Sequence, residues 1–494
     1  MTEIDAFCTL AAAFQSVDEY SCQCHKSVAL ALILIFGTIY ILLSKGICKI
    51  LVVNLCVEPR MYIDLMRLSV LEKFDSERCY IMCIVVPFRA VRPVKAYVRD
   101  VASYPYDIVD SKEARAIAKG NPRSFLHIVK SEIDLPLETD IYDEKVYEKA
   151  RDNFRRLSDE GILFQDATPC FYVYRQQMGD HMQFGIVACA SIKEYETVRI
   201  KKHELTRSDK EYDRTKHIDI LNAQTGPVFL TYQARAAIDE IVRNIVCGTP
   251  EYDFVATDGI SHTVWVVDDT VLIEKIREEF LTVENFYIAD GHHRAASSAT
   301  VAKMRKRQNP DHDGSEEYNY MMAVIFPHDQ LKIMAYNRVV ADLNKFTETE
   351  FLDRVRQRFL IFHDVKGTIP ACLHEFGMYL HGTWYLLRAK ESVYIESDII
   401  GALDVSILHD HLLTPILGIG DPRTDERINF VGGIRGVAEL ERLVDSGQYA
   451  VAFSIYPTTV HQLMDVADSS NIMPPKSTWF EPKLRSGLFV HLMD

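Results

Sequence analysis

Apolar runs along the chain alternate with segments whose apolar positions recur at helical spacing. Residues 81–87 (IMCIVVP) predict a buried strand that ends at a proline, and residues 171–174 and 184–190 predict a strand pair. The predicted helices cover residues 111–118, 146–157 and 272–280. Asp110 or Ser111 is the expected cap of the first of these helices. Because strands and helices interleave, the pattern predicts a mixed α/β (α+β) body.

The longest apolar run stands apart from this body. Residues 27–44 (SVALALILIFGTIYILLS) carry no charge and are bounded by Lys26 and Lys45. A helix of about 20 mostly apolar residues crosses a bilayer, so the run predicts an N-terminal apolar helix that serves as a single-pass membrane anchor. Basic residues follow the run and acidic residues precede it, which would place the C-terminal body in the cytoplasm. The alternative is that residues 1–80 are an upstream extension with no role in the chemistry.

Composition and charge exclude several classes of protein. The chain has 494 residues, of which 48% are hydrophobic, and 55 Lys and Arg face 70 Asp and Glu for a net charge of −15. These proportions exclude wholesale disorder, and the acidic balance argues against a nucleic-acid partner. At roughly 100–200 residues per domain, the chain should hold two to four units. We predict an extension over residues 1–80, a catalytic and nucleotide-binding body over 81–345, and a C-terminal α/β domain over 346–494.

The first candidate site is the DGHHR box, residues 290–294. An apolar strand, residues 286–289, runs into an Asp-Gly turn, and the residues that follow the box favour a helix. A helix N-terminus attracts anions through its unpaired N–H groups and its dipole. The candidate phosphate ligands are Asp290, Gly291, His292, His293 and Arg294. Asp290 is also a candidate ligand for a metal ion. The structural alternative is a capped helix whose histidines are bonded to backbone carbonyls.

The second candidate is the charged segment 200–217. At helical spacing, the residues on one face are His203, Arg207, Lys210, Arg214 and His217. Such a pattern is typical of a solvated helix with surface ion pairs. The functional interpretation is that Glu204, flanked by cations, stays ionised and deprotonates a substrate hydroxyl. His203-Glu204 does not begin a zinc-protease motif, because position 207 is Arg.

The third candidate lies near the C-terminus. Glycines around Arg435 are suited to an N–H nest for an anion, although such a signal is weak. A proline-bounded loop, residues 474–487, carries polar residues in the way that binding residues are often presented. Its polar members are Lys476, Ser477, Thr478, Lys483 and Arg485. The alternative is a tail that is simply packed by Trp479 and Phe480.

These segments together resemble one family, a SpoOJ/ParB-like, serine-kinase-like family of unknown function (domain of unknown function family 1015). The resemblance runs from about Ile84 to His491 and leaves the first eighty residues outside it. Its landmarks are residues 104–107 (YPYD), 121–127, 201–204 (KKHE), 224–229, 288–294 (IADGHHR), 336–338 and 473–483. The resemblance implies a ParB/sulfiredoxin-like phosphate-binding core embedded in a larger mixed-sheet body.

The same resemblance implies an activity. It suggests a small-molecule kinase that phosphorylates free L-serine to O-phosphoserine with ATP or ADP and Mg²⁺. Glu204 would be the catalytic base with His203 beside it, and the DGHHR box would bind the nucleotide phosphates, with Asp290 also holding the metal. Lys202 and Arg207 would bind the amino-acid substrate.

Two departures from related families narrow this expectation. Sulfiredoxins need a cysteine within the box, and His292 stands there in this chain. Partition proteins carry a DNA-binding helix-turn-helix, for which the sequence shows no pattern. The alternatives that stay open are a ParB-like nucleotide-binding regulatory protein without turnover and a nucleotide hydrolase.

Overall fold

The computed structural model divides the chain into two compact units, residues 1–80 and residues 81–494. The described residues are 31–35, 38–42, 51–54, 83–363 and 369–494. In the first unit they form a three-stranded antiparallel sheet of β1 (Ala31–Ile35), β2 (Thr38–Leu42) and β3 (Leu51–Asn54).

Strands therefore stand where the sequence predicts a helix over residues 27–44. β1 and β2 pair antiparallel from Ala31↔Leu42 to Ile35↔Thr38, and the rest of the run lies outside the described residues. β1 and β2 contain four isoleucines, Ile33, Ile35, Ile39 and Ile41, and β-branched residues lose rotamer freedom in a helix and favour strands. Among the residues that the structure describes, no helix is long and apolar enough to cross a membrane. The single-pass anchor stays a prediction.

The second unit contains the remaining strands and the helices. The strands are β4 (Val85–Val86), β5 (Val91–Pro93), β6 (Leu163–Gln165), β7 (Phe171–Met178), β8 (His181–Ser191), β9 (Ile200–Lys201), β10 (Ala223–Gln224), β11 (Val228–Tyr232), β12 (Tyr252–Val255), β13 (Ser261–Val267), β14 (Phe286–Asp290), β15 (Tyr320–Pro327), β16 (Lys332–Ile333), β17 (Tyr336–Val340), β18 (Phe359–His363), β19 (Glu375–Leu380), β20 (Thr383–Ala389), β21 (Ile428–Gly432), β22 (Val451–Ile455), β23 (Phe480–Glu481) and β24 (His491–Leu492). The helices are α1 (Val98–Val101), α2 (Ser111–Ala118), α3 (Leu126–Val129), α4 (Glu144–Asp159), α5 (Ile192–Glu196), α6 (Ser208–Leu221), α7 (Ala236–Ile245), α8 (Thr270–Phe280), α9 (His292–Gln308), α10 (Glu348–Arg358), α11 (Asp404–Leu408), α12 (Gly436–Asp445) and α13 (Val460–Asp468). The fold is mixed α/β, as the sequence predicts.

A nine-stranded sheet is the centre of this unit. Its order is β12-β13-β7-β8-β15-β11-β14-β9, and β4 also pairs with β8. Most neighbours are antiparallel, but β11 runs parallel to β15 and β14 runs parallel to β9. The β14–β9 pair places Phe286 opposite Ile200 and Tyr287 opposite Lys201. This register brings residue 203 and the DGHHR box to the same edge of the sheet.

The two faces of the large sheet are buried in different ways. Along β15, Val324 and Phe326 belong to a core shared with the second sheet, whereas Ala323 and Ile325 face the core under α7, α8 and α9, as the period of two in a strand requires. The second sheet has the order β18-β20-β19-β22-β17-β21. Because the shared core contains residues from both sides of position 345, the boundary between residues 81–345 and 346–494 stays a prediction.

Several local predictions are confirmed. Asp110 caps α2 in a capping box with Glu113, and β7 and β8 pair as an antiparallel hairpin. The charged segment is different, because its helix α6 begins only at Ser208. His203 and Arg207 therefore do not share a helical face with Lys210, and the single stripe predicted for this segment is wrong. The pairing of β9 with β14 takes the start of the segment into the sheet instead.

Candidate functional site

The candidate site begins where β14 passes through Gly291 into α9. Gly291 is the N-cap of α9 and has φ of 91°, a left-handed conformation that glycine adopts without strain. A Cβ at this position would meet Val228 Cα at 3.5 Å, an ordinary contact, so the backbone angle and not the available space calls for glycine. None of the side chains that the structure describes caps this helix. The first N–H groups of α9 are therefore available to an anion.

Asp290 is held at the end of β14 by a hydrogen bond and an ion pair. Its Oδ1 accepts from the Gly291 N–H at 2.8 Å, and its Oδ2 lies 3.0 Å from Lys483 Nζ. Burial alone would raise the pKa of Asp290, but Lys483, Arg294 and these contacts outweigh burial and hold the pKa well below its usual range. Asp290 is therefore a carboxylate paired with a cation from the C-terminal loop.

Arg294 lies one turn further into α9 and is buried. Its Nη1 donates to the Pro227 carbonyl at 2.9 Å, and its Nη2 donates to Asp107 Oδ2 at 2.8 Å. The guanidinium also lies 5.3 Å from the centre of the Tyr106 ring. Both terminal nitrogens are thus engaged within the protein. Arg294 Nε is buried and has no hydrogen-bond partner among the described residues. Because a guanidinium has five N–H groups, a phosphate contact from Arg294 stays a prediction that needs neither bond to open.

His203 and Glu204 reach the box through the β9–β14 pairing, although 86 positions separate Glu204 from Asp290 in the sequence. The rings of His203 and His292 are 4.5 Å apart between centroids and perpendicular. Glu204 Oε2 lies 3.8 Å from His292 Nδ1. The C-terminal loop closes over this group, because the Met473 N–H donates to the His203 carbonyl at 2.8 Å. The structure thereby brings together the first two sequence candidates and the proline-bounded loop of the third.

Electrostatics separates the roles that these side chains can take. Burial lowers the pKa of His203 to about 4 and the pKa of His292 well below its usual value. Both imidazoles are therefore neutral near pH 7. Burial and the neighbouring Asp290 raise the pKa of Glu204, while Lys476 and Lys483 oppose the rise. The Glu204 side chain is 46% exposed, so it is a carboxylate with increased basicity that still reaches solvent.

The remaining predicted residues lie at the outer rim. His293 Nε2 accepts a hydrogen bond from the Arg207 backbone N–H at 3.0 Å. The Arg207 side chain points to solvent and pairs with Asp209 at 2.9 Å. Lys202 is exposed as well. These two cations are near the box, yet neither is held in it by a contact that the structure shows.

Two cavities flank the box and share the wall formed by Asp107. The larger has a volume of about 760 Å³, and the smaller has a volume of about 370 Å³. Residues that line the larger cavity include Tyr104, Tyr336, Phe430, Trp479, Asn429, Arg435 and Lys483. Residues that line the smaller cavity include Tyr142, Tyr147, Lys130, Arg207, Lys210, Arg214 and His293. One cavity is rich in aromatic rings and the other in cations.

The sequence did not mark Tyr106 and Asp107 as site residues, because the YPYD segment reads as a turn. Their role depends on Arg294, which is 187 positions from Asp107. In the sequence, Lys483 is a candidate only as one polar residue of the loop 474–487. Its pairing with Asp290 and its place 4.7 Å over the Trp479 ring were not visible in the sequence. The one sequence signal for these contacts is that residues 104–107, 288–294 and 473–483 are all landmarks of the family that the chain resembles.

Comparison with known proteins identifies a family. The family model described as "Protein of unknown function (DUF1015)" matches residues 85–406, which confirms the resemblance to this family of unknown function. No curated protein matches the chain.

Solved structures with distant similarity were also found. One is a free serine kinase in complex with AMP, with 11% identity, a TM-score of 0.29, and coverage of 62% of this chain and 91% of that chain. Another is SbnI with C-terminal truncation from Staphylococcus aureus, with 10% identity, a TM-score of 0.33, and coverage of 62% and 87%. A third is a conserved hypothetical protein from Pyrococcus furiosus, with 12% identity, a TM-score of 0.28, and coverage of 62% and 95%.

Proposed function

The chain belongs to the DUF1015 family of proteins of unknown function, and from this premise we propose that it is a small-molecule kinase. It transfers a phosphoryl group from ATP or ADP to the hydroxyl of free L-serine. The observation that supports the proposal best is the position of Glu204, whose carboxylate lies 3.8 Å from His292 at the N-terminus of α9. A base and an anion-binding helix terminus therefore meet at one point.

The proposed roles follow from the chemistry of each group. Backbone N–H groups at the start of α9 bind phosphate oxygens, and Lys483 stabilises the charge that develops during transfer. Glu204 accepts the proton of the serine hydroxyl, since its raised pKa improves it as a base near neutral pH. Phosphoryl transfer depends mainly on such positioning and charge stabilisation.

Mg²⁺ fits the same arrangement through oxygen atoms. Asp290 offers carboxylate oxygens, the ligand type that Mg²⁺ prefers, although one of them accepts from Lys483. The ion, when bound, neutralises charge on the phosphates. Asp290 would keep it beside the helix terminus.

The two cavities suit two different substrates. Aromatic rings of Tyr104, Tyr336 and Trp479 in the larger cavity suit a nucleoside, and its volume of about 760 Å³ lies within the usual range of roughly 300–1,000 Å³ for ligand pockets. The smaller cavity carries Arg207 and Arg214, which suit the carboxylate of an amino acid. Lys202, at the rim, would support the same group.

The test is an incubation with L-serine, Mg²⁺ and either ATP or ADP, with phosphoserine measured as the product. Glu204→Gln should lower the rate by about 10²–10⁴-fold, the usual contribution of a general base. Glu274→Gln is the matched control, because Glu274 is an exposed partner of Arg277 on α8. Nucleotide loss without phosphoserine would indicate a hydrolase instead, and binding without turnover would indicate a regulatory protein.

A further inference from the structure

We propose that His203, Glu204 and His292 form a binding site for a transition-metal dication of the Zn²⁺ class. The inference goes beyond the kinase and does not depend on it. The site is also distinct from the Mg²⁺ position expected at Asp290, because its donors are two imidazoles and one carboxylate.

The first support is geometric. One potential ligand atom from each of the three residues lies within 4.8 Å of the other two. In a tetrahedral site with ligands about 2.1 Å from the metal, neighbouring ligand atoms are about 3.4 Å apart. The distance from His292 Nδ1 to Glu204 Oε2, 3.8 Å, is already close to this value. The remaining adjustment is small, since the Glu204 side chain is 46% exposed and free to turn.

The second support comes from unused ring nitrogens. Within the described residues, His203 Nδ1 and His292 Nε2 are buried and have no hydrogen-bond partner. The other nitrogen of His203, Nε2, lies 3.5 Å from Thr478 Oγ1, which is long for a hydrogen bond. A buried polar atom without a partner is costly. His203 Nδ1 therefore has spare capacity for a metal ion, whereas His292 would bind the ion through Nδ1, the nitrogen that lies 3.8 Å from Glu204.

The donor set selects the class of metal. Imidazole suits Zn²⁺, Co²⁺ and related ions, whereas Mg²⁺ and Ca²⁺ prefer oxygen donors. Two histidines and a glutamate leave at least one coordination position open, as in catalytic rather than structural zinc sites.

Occupancy would also affect the kinase. A metal bound to Glu204 uses the lone pairs that would accept the serine proton, so Zn²⁺ should inhibit phosphoryl transfer at saturating Mg²⁺. This consequence rests on the proposed function, whereas the metal site itself does not. Direct binding is therefore the primary measurement.

The experiment titrates the tag-free, metal-stripped full chain with Co²⁺ and records its visible absorption, with metal content after dialysis against Zn²⁺ as a second readout. We expect one tight equivalent with a spectrum of low-symmetry nitrogen and oxygen ligation. Glu204→Gln and His292→Asn should each weaken Co²⁺ binding by at least about 100-fold, since even outer partners of a metal ligand contribute about 10–100-fold. Thermal denaturation checks that both variants fold, and Glu204→Gln is the safer of the two because its side chain is half-exposed.

His293→Gln is the matched control, because His293 is the adjacent histidine of the same box but contacts the Arg207 backbone instead. It should bind Co²⁺ as the wild type does. The proposal is overturned if the wild type binds no stoichiometric Co²⁺, or if His293→Gln loses binding as completely as His292→Asn. A chain that makes phosphoserine but binds no Co²⁺ rejects this site alone, and one that binds Co²⁺ but makes no phosphoserine rejects the kinase alone.

Discussion

The two ends of the DGHHR box differ sharply in what surrounds them. At the first end, His292 has a ring nitrogen without a partner and lies beside Glu204. At the second end, Arg294 donates from both terminal nitrogens to the Pro227 carbonyl and to Asp107. The terminal nitrogens of Arg294 join parts of the fold, although its Nε, like His292 Nε2, has no partner among the described residues. His292 and Arg294, two positions apart, therefore have different neighbours.

Helix geometry explains this difference. Successive residues of an α-helix are about 100° apart, so His292 and Arg294 point in directions roughly 200° apart. One side of the first turn faces the sheet edge and the C-terminal loop, and the opposite side faces Tyr106 and Asp107. We call the side of Arg294 the structural side, because its terminal nitrogens are bonded within the fold, and charge alone does not tell the two sides apart.

The largest expected effect belongs to the structural side. Arg294→Ala leaves Asp107 and the Pro227 carbonyl without their donor, and we expect a loss of about 3 kcal/mol in the free energy of unfolding. This value is at the low end for a broken buried pair, because the Asp107 side chain is 35% exposed. Urea denaturation measures it. A variant that unfolds like the wild type but no longer binds nucleotide would reverse the assignment of the two ends.

Lys483→Gln tests the other side. Lys483 is paired with Asp290 at the entrance to α9, and in the proposed kinase it also stabilises bound phosphate. Removing its charge should weaken nucleotide binding by about 1.5–3 kcal/mol, the range for hydrogen bonds to charged groups. Isothermal titration calorimetry at fixed Mg²⁺ measures the affinity.

Lys303→Gln is the control for this substitution, since Lys303 is an exposed partner of Glu196 on α9. It should leave the affinity unchanged. If folded Arg294→Ala loses more affinity than Lys483→Gln, then Arg294 and not the C-terminal lysine binds phosphate, and the contrast between the two ends fails.

The sequence predicted much of the local structure here and little of the long-range geometry. The cap at Asp110 and the β7–β8 hairpin follow from neighbouring residues, and both were found where predicted. The box itself was recognisable because a strand, an Asp-Gly turn and a helix former are adjacent in the chain. What joins Glu204 to His292 is the pairing of a two-residue strand, β9, with β14. So short a strand has no periodicity to detect.

Two errors have the same physical origin. Residues 200–207 have charges at helical spacing, and residues 27–44 have the length of a membrane helix, yet strands were found in both segments. In both segments a neighbouring strand offers backbone partners that outweigh helical propensity: β14 for β9, and β2 for β1. The pairing of Lys483 with Asp290 was likewise not predictable, because no local pattern relates residues 193 positions apart.

The structural side should also respond to pH through His217, which together with Arg294 lines a third cavity, beside Tyr106 and Gly226. Burial and the nearby Arg214 lower the pKa of His217 to about 3, against the smaller opposing effects of the Ile128 carbonyl and Asp213. The unfolded chain binds this proton below a pH of about 6.5, and the folded chain does not. Stability therefore falls as the pH falls from 6.5 towards 3, by about 2 kcal/mol at pH 5 for this group.

Comparing urea denaturation at pH 7 and pH 5 measures this effect. His217→Gln keeps an N–H donor for the Ile128 carbonyl, which the His217 ring contacts at 3.1 Å, but has no group that titrates. Its stability should fall less between the two pH values than that of the wild type, by about 2 kcal/mol. An unchanged difference would show that His217 is protonated in the folded protein, contrary to its buried environment.

The smallest effect is expected at the rim. The Arg207 side chain is 67% exposed and pairs with Asp209, also on the surface, so Arg207→Ala should change the free energy of unfolding by less than about 0.5 kcal/mol. The contact that Arg207 makes with the box comes from its backbone N–H to His293, which alanine retains. If the KM for serine rises while stability and nucleotide affinity stay constant, the exposed guanidinium binds substrate. If nothing changes, Arg207 contributes to the site through its backbone alone, and the cations for the substrate carboxylate must be sought deeper in the smaller cavity, at Arg214.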